Sequence, residues 1–407
     1  MLFRSDAYEV EREIIIAATT LGIVQELYYH TRNDPVSYTH LAKIAAGPWL
    51  QAVSDREFTV VWVTDTTAVA WVELAPDDGT HFYSEQRPKY YQSVFGRRPV
   101  GTLHCVRITG LEPATTYRYR VMMQGAEVDA ASGAVRFARP TGSRVYKQEP
   151  YKATTLDPAK ESVKFAVGND FHDNDEAFRT LFGGIAEGGY DFVCLNGDMN
   201  STLYGQQTIL DGYLKSAAEL FASGTPLYVA RGNHENRGPF AIRFMDYFPS
   251  GTGMPYYAFR QGPAFFIVLD CGEDKPDSDI EYGGLILSAS FREQEARWLR
   301  GVVESDEFRN APYKIVFCHM PPSERGWHGD REIDRLFVPL LDEAGIDLMI
   351  SGHIHSYKFE DKGTAGRNFP LLCNPSQSRL DAQVSPSGID IRIYDKSGEM
   401  IKQHSIK

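Results

Sequence analysis

Five short polar blocks interrupt the second half of the chain, each where an apolar run stops: Asp170-Phe171-His172, Gly197-Asp198, Gly232-Asn233-His234-Glu235, His319, and Gly352-His353-Ile354-His355. Together they offer carboxylates, imidazoles and one amide, a donor set that suits two adjacent divalent or trivalent cations such as Fe, Mn or Zn. No cysteine cluster accompanies them, which argues against a structural zinc or an iron–sulfur centre. Two cations sharing a carboxylate sit about 3.5–4 Å apart and can clamp the attacking and leaving oxygens of a phosphate-ester displacement. Asp198, the lone carboxylate block, is the natural bridge. A single His or Asp after an apolar run is usually a satisfied polar group, but His172, His319, His353 and His355 recur in one ordered pattern.

The elements that would carry these blocks alternate between strand and helix. Strands are expected at Val163–Val167, Phe192–Leu195, Leu227–Ala230, Ala264–Leu269, Lys314–Phe317 and Leu348–Ile350, and helices at Glu176–Ile185, Gln207–Phe221, Arg292–Val303 and Glu332–Ala344. Such alternation predicts an α/β layer architecture. In α/β sheets, sites collect beyond the carboxyl ends of strands, so five separate segments would deliver ligands to one rim. Gly168, Gly197, Gly232 and Gly352 are expected to permit sharp exits that turn side chains inward. The last stretch, Ile389–Ile406, reads as a hairpin turning at Asp395-Lys396-Ser397-Gly398.

Ahead of this lies a different pattern. Residues 1–44 read as a helical or loosely ordered lead-in, 45–140 as a small β-sandwich, and 141–162 as a polar linker to the 163–407 domain. Thr59–Thr64 and Ala68–Leu74 alternate as two strands around a turn. The run Thr109-Gly110-Leu111-Glu112-Pro113, followed by Tyr117, resembles the tyrosine corner of fibronectin type III sandwiches, with Trp62 as the buried aromatic. His30, His40, His81, His104 and His404 fall outside the polar pattern and are expected at the surface.

Composition sets limits. A net charge of −12 disfavours nucleic acid as a partner, because that binding needs a basic surface. No apolar run is long enough to span a membrane. The apolar stretch Ile14–Val24 follows Asp6, Glu9, Glu11 and Glu13 rather than a basic flank, so no secretory signal is read. The five cysteines include no CxxC pair, and reduced thiols buried in strands are expected.

The order Asp-x-His, Gly-Asp, Gly-Asn-His-Glu, His, Gly-His-x-His resembles the calcineurin-like metallophosphoesterase superfamily, from about Ser162 onward. The β-sandwich before it resembles the amino-terminal domain of purple acid phosphatases. The resemblance implies a four-layer αββα sandwich preceded by a small all-β fibronectin type III-like domain, and it suggests an exported or periplasmic setting. It implies one metal on Asp170, His172, Asp198 and His355 and a second on Asp198, Asn233, His319 and His353. His234 would contact the phosphate and protonate the leaving oxygen, with Glu235 orienting it. A water ionised by the metals would attack phosphorus in small phosphate mono- or diesters. One departure stands out. Purple acid phosphatases carry a metal-bound tyrosine three residues after the Gly-Asp aspartate, where this chain has Ser201, and they lack a counterpart of His172; Tyr204 falls at the wrong spacing.

His328, Arg231 and Asn200 are expected at the rim as substrate contacts, with 235–255, 274–284 and 321–331 walling the site. A binding scaffold without turnover, its β-sandwich docking a partner or glycan, is the alternative reading. Loss of a ligand would mark it, and none is lost.

Overall fold

A computed structural model describes residues 41–143 and 148–406. The expected lead-in of residues 1–44 lies outside them except for its last four positions. The described chain forms two compact units. The first takes in Trp62–Val106 and Arg118–Tyr151; the second takes in Ala46–Val61, Arg107–Tyr117 and the residues from Lys152 onward.

The amino-terminal strands are β1 (Ile44–Gln51), β2 (Glu57–Pro76), β3 (Lys89–Tyr91), β4 (Gly101–Thr109), β5 (Thr116–Val128), β6 (Val135–Gly142) and β7 (Tyr151–Thr154). They join in the order β1-β2-β5-β6, with β3 and β4 on β2 and β7 on β5. Two expectations change. Thr59–Thr64 and Ala68–Leu74 are halves of the single strand β2, because the exposed Asp65-Thr66-Thr67 segment stays extended. There Asp65 Oδ1 accepts from Lys43 N (2.8 Å) and Thr67 Oγ1 donates to Ala126 O (2.8 Å), so the polar residues are satisfied without reversing the chain. Residues 151–154, read as linker, form β7. The tyrosine corner is present: Glu112 N donates to Tyr117 Oη at 3.0 Å.

The second unit is a four-layer α/β/β/α sandwich. One sheet runs β10 (Leu227–Ala230), β9 (Phe192–Asn196), β8 (Val163–Asn169), β17 (Ser378–Ser385), β18 (Gly388–Tyr394), β19 (Met400–Ile406). The other runs β11 (Tyr257–Gln261), β12 (Ala264–Leu269), β13 (Tyr313–Cys318), β14 (Leu348–Ser351), β16 (Leu371–Cys373), β15 (Lys358–Glu360). β8, β9 and β10 are parallel, as are β12, β13, β14 and β16. Aromatic side chains stitch the facing sheets together: Phe165 of β8 meets Phe266 of β12 and Phe317 of β13 edge-on, with centroids 5.3 and 5.8 Å away. Burying each such ring contributes about 1.5–3 kcal/mol.

Helices cover the outer faces. Against the first sheet lie α1 (Asp175–Phe182) and α2 (206–222); Phe178 and Phe182 of α1 pack on Phe221 of α2. Asn174 caps α1 by accepting from Ala177 N. Against the second sheet lie α3 (Ser288–Val303), α4 (His328–Leu336) and α5 (Val338–Ala344), whose Leu299, Ile333 and Leu341, with Phe337 between α4 and α5, share a buried cluster with Ile267, Val316 and Met349. The single helix expected over Glu332–Ala344 breaks at Phe337 because Pro339, in the first turn of α5, has no N–H to continue the ladder. No helix among the described residues is long and apolar enough to cross a membrane.

His104 contradicts its expected surface position. It is buried against Trp62, with ring centroids 5.3 Å apart, and Nε2 lies 3.0 Å from Thr64 Oγ1. Burial pushes the imidazole from its ordinary 6.5 down to about 4. The unfolded chain takes up this proton first, so the neutral ring costs nothing above pH 6.5 and stability falls as pH drops toward 4, by about 3 kcal/mol at the limit. Chemical denaturation of the parent and of His104→Gln across pH 7 to 4 should show the parent losing stability faster on acidification. A parent–variant difference independent of pH would contradict this burial effect.

Candidate metal centre

Every polar block follows directly on a strand: Asp170 and His172 on β8, Asp198 on β9, Asn233 and His234 on β10, His319 on β13, His353 and His355 on β14. The backbone is forced to aim them. Asp170, His172, Asp198, His353 and His355 all take left-handed φ values, 54, 47, 52, 67 and 56°. Each such non-glycine residue costs of order 1–3 kcal/mol and persists only where its surroundings over-determine it. Here they do: Asp170 N donates to Gly197 O (3.0 Å), His172 N to Asp198 O (3.1 Å) and Gly352 N to His319 O (2.8 Å). The carboxylates add to this, Asp170 Oδ2 accepting from His353 N and Asp198 Oδ1 from His234 N, both at 2.9 Å.

The neighbouring glycines serve a different purpose from the one expected. Of the four, only Gly197 has a left-handed φ, +86°. What they supply is room. A Cβ at Gly197 would lie 2.5 Å from the His319 ring, at Gly232 2.2 Å from Asp198 Oδ1, at Gly352 2.7 Å from Asp170 Oδ2, and at Gly168 2.7 Å from Phe182. The ligand side chains pass over bare backbone, and the ligands themselves carry the strain.

Two groups of donor atoms result, Asp170–His172–His355 and Asp198–His319–His353, with the ligand atoms of each within 4.8 Å of one another. Asp170 Oδ1 is buried and takes a well-formed hydrogen bond from none of its neighbours, although His355, His172 and His319 bring Nε2 to 3.2, 3.8 and 3.8 Å. His319 links the groups: Nδ1 donates to Asn196 O (2.7 Å), which leaves Nε2 facing Asp198 Oδ2 at 3.0 Å. Burial alone would lower the His319 pKa, but the Asp198 and Asp170 charges outweigh it and hold the ring up to about 10. Burial would likewise raise both carboxyls, and the His319 charge reverses the sign, lowering them. Burial and the His319 charge push His353 down to about 4, so that ring stays neutral beside the carboxylates. Anionic oxygens ringed by imidazole nitrogens, with one oxygen left unpartnered, fit cations better than protons.

Asn233 joins the second group. One end of its amide lies 3.1 Å from His353 Nδ1 and 3.3 Å from Asp198 Oδ2; the other lies 2.9 Å from Arg237 Nη2. With the oxygen toward His353 and Asp198, that end faces acceptors alone, as a cation ligand does. His234 sits alongside, its ring 4.9 Å from that of His172 and Nε2 3.8 Å from Asp198 Oδ2. Its Nδ1 is 2.7 Å from Ser201 O, which can only accept, so Nδ1 carries the proton and Nε2 the lone pair.

The remaining candidates are placed elsewhere. Glu235 does not orient His234. Its carboxylate instead accepts the N–H groups of Asp198, Met199, Asn200 and Gly232, at 2.8–3.2 Å, and so clamps the loop that presents Asp198. Burial and the Asp198 charge nevertheless push it up to about 7. Asn200 is fully buried and so is no rim residue; Nδ2 donates to Asp173 Oδ1 (2.6 Å) and Thr208 O (3.0 Å). Arg231 is committed to the buried Asp270, Nε to Oδ2 at 2.6 Å. His328 opens α4, half-buried, beside Glu332 one turn on. Sequence reasoning passed over Arg237, whose Nη1 lies 3.2 Å from His234 Nε2. A lone cation three residues after that histidine was the available signal.

A family model described as calcineurin-like phosphoesterase matches residues 163–357, and one described as purple acid phosphatase, N-terminal domain, matches 48–139. The chain is similar to purple acid phosphatase 18 of Arabidopsis thaliana, 24% identical over 86% of this chain and 74% of that protein. It is also similar to purple acid phosphatase 21 of the same plant, 25% identical over 63% of this chain and 53% of that one. It thus spans three quarters of the first relative and about half of the second. Residues 163–357 thus resemble the calcineurin-like phosphoesterases, and residues 48–139 the amino-terminal domain of the purple acid phosphatases.

Proposed function

We propose that this protein hydrolyses phosphate mono- or diesters of small molecules at a centre of two divalent or trivalent cations. Asp170, His172, Asp198 and His355 would hold one cation and Asp198, Asn233, His319 and His353 the other. The observation that carries the reading is the buried, unpartnered Asp170 Oδ1 facing three imidazole nitrogens beside the Asp198 group. The family and its relatives support metal-dependent phosphoester chemistry.

Cations bound there would supply an ionised water and the positive charge that phosphate oxygens require. The protein's share is positioning and proton transfer. Its Nδ1–H fixed on Ser201 O, His234 turns Nε2 toward the Asp198 side, where, after taking a proton from solvent onto Nε2, it can pass that proton to the departing alkoxide. Glu235 holds the Asp198 loop through four backbone N–H groups, keeping the bridging carboxylate in register. The acidic net charge favours small esters over polyanionic chains.

His234→Ala should cut turnover of p-nitrophenyl mono- or diesters by about 100-fold or more while metal content, read by elemental analysis, stays near the parent's. Asp198→Ala should lose metal and turnover together. Parent-like turnover in both would contradict the assignment. A second expectation follows from Ser201 and from Tyr204, which is 74% exposed and points to no ligand role. The iron-loaded protein should lack the intense visible band of a tyrosinate ligand; a purple protein would refute it.

A further inference from the structure

We propose that Arg237 is the phosphate-binding residue of this site, resting on the phosphoesterase reading above. Its guanidinium is gripped from behind and presented forward. Nε and Nη2 form a fork on the buried Glu273 carboxylate, Nε to Oε1 at 3.2 Å and Nη2 to Oε2 at 3.1 Å. Asp274 Oδ1 adds a contact to Nη2 at 3.3 Å, and the Tyr282 hydroxyl lies 3.0 and 2.9 Å from the two carboxylates, with one proton to give to either. Such an anchor fixes the plane of the guanidinium before any ligand arrives. The free corner, Nη1, then lies 3.2 Å from His234 Nε2, at the mouth of the site, with the side chain 21% exposed.

The corner it faces lacks an acceptor once the cations are in place. If the Asn233 oxygen serves as a ligand, its NH2 turns to Arg237, 2.9 Å from Nη2. Amide N–H and guanidinium N–H then converge with no oxygen between them, and Nη1 has only the His234 lone pair. A phosphate oxygen can accept from Nη1 and from the Asn233 amide, while Nε and Nη2 stay on Glu273. Arg237 thus fixes one phosphate oxygen beside the group that protonates the leaving atom.

The test is orthophosphate binding to the metal-loaded protein by calorimetry, with metal content and thermal midpoint measured alongside. Arg237→Gln should keep two metals per chain and weaken orthophosphate at least tenfold, with a matching rise in KM for any ester turned over; Arg237→Lys should weaken it less. If Arg237→Gln fails to fold because Glu273 is left unpaired, the double variant Arg237→Gln/Glu273→Gln removes both charges and is expected to show the same loss. Affinity within twofold of the parent in a folded, metal-loaded variant overturns the proposal. So does a variant that loses metal in proportion to phosphate, which would make Arg237 a strut, or a metal-loaded parent that binds no orthophosphate. Arg237-dependent orthophosphate binding without turnover of any ester would sink the hydrolase reading and leave this assignment standing.

Discussion

Two carboxylates, Asp170 and Asp198, are buried to the last few per cent at the ends of adjacent strands, and the structure is organised around making that tolerable. Like charges withdrawn from water repel each other and forfeit hydration. Four imidazoles, one amide and a set of backbone N–H groups surround them, yet one oxygen of Asp170 remains without a well-formed hydrogen bond. Protonating His319 is one compensation the chain can provide, and the same carboxylates hold that proton tightly. Cations are the more effective neutralisers, which makes the fold and the chemistry one problem: a scaffold rigid enough to hold anions together is also a scaffold for metals.

Rigidity comes from the layers beneath. Five ligands sit in backbone conformations that non-glycine residues avoid, and they stay there because β8, β9, β13 and β14 fix the residues just before them. Glu235 shows how far this support extends: an acidic side chain is buried completely in order to tie four amide groups of the β9 and β10 exits. Asn200 reaches the other way. Its amide donates to the Thr208 carbonyl in the first turn of α2, a helix that continues through π-type turns at Leu210–Leu214 and again at Ala218–Ala222.

Much of this was legible in the sequence, for a physical reason. Buried parallel strands must be apolar throughout, and functional side chains must begin where they end, so Val193-Cys194-Leu195 before Asp198 or Ile315-Val316-Phe317 before His319 marks both strand and site. What stayed hidden depended on long-range partners. β17, where Arg379, Asp381 and Gln383 alternate with apolar residues, carries a strand's period of two, but its place beside β8 comes only from antiparallel pairing with residues more than 200 positions earlier. β2 looks like two strands because two of its three polar residues, Asp65 and Thr67, find their partners 22 and 59 positions away. His104 and Asn200 look like surface or rim residues until the chain closes over them, and Arg237 gains meaning only from Glu273, 36 residues on.

The central claim is that the two carboxylates share cations, and the direct measurement is anomalous diffraction from metal-loaded crystals at the absorption edges of Fe, Mn and Zn. Two peaks about 3.5–4 Å apart are predicted, one within coordination distance of Asp170, His172 and His355 and the other of Asn233, His319 and His353, with Asp198 between them. A single peak, or none in crystals of protein that elemental analysis shows to be loaded, would contradict the account.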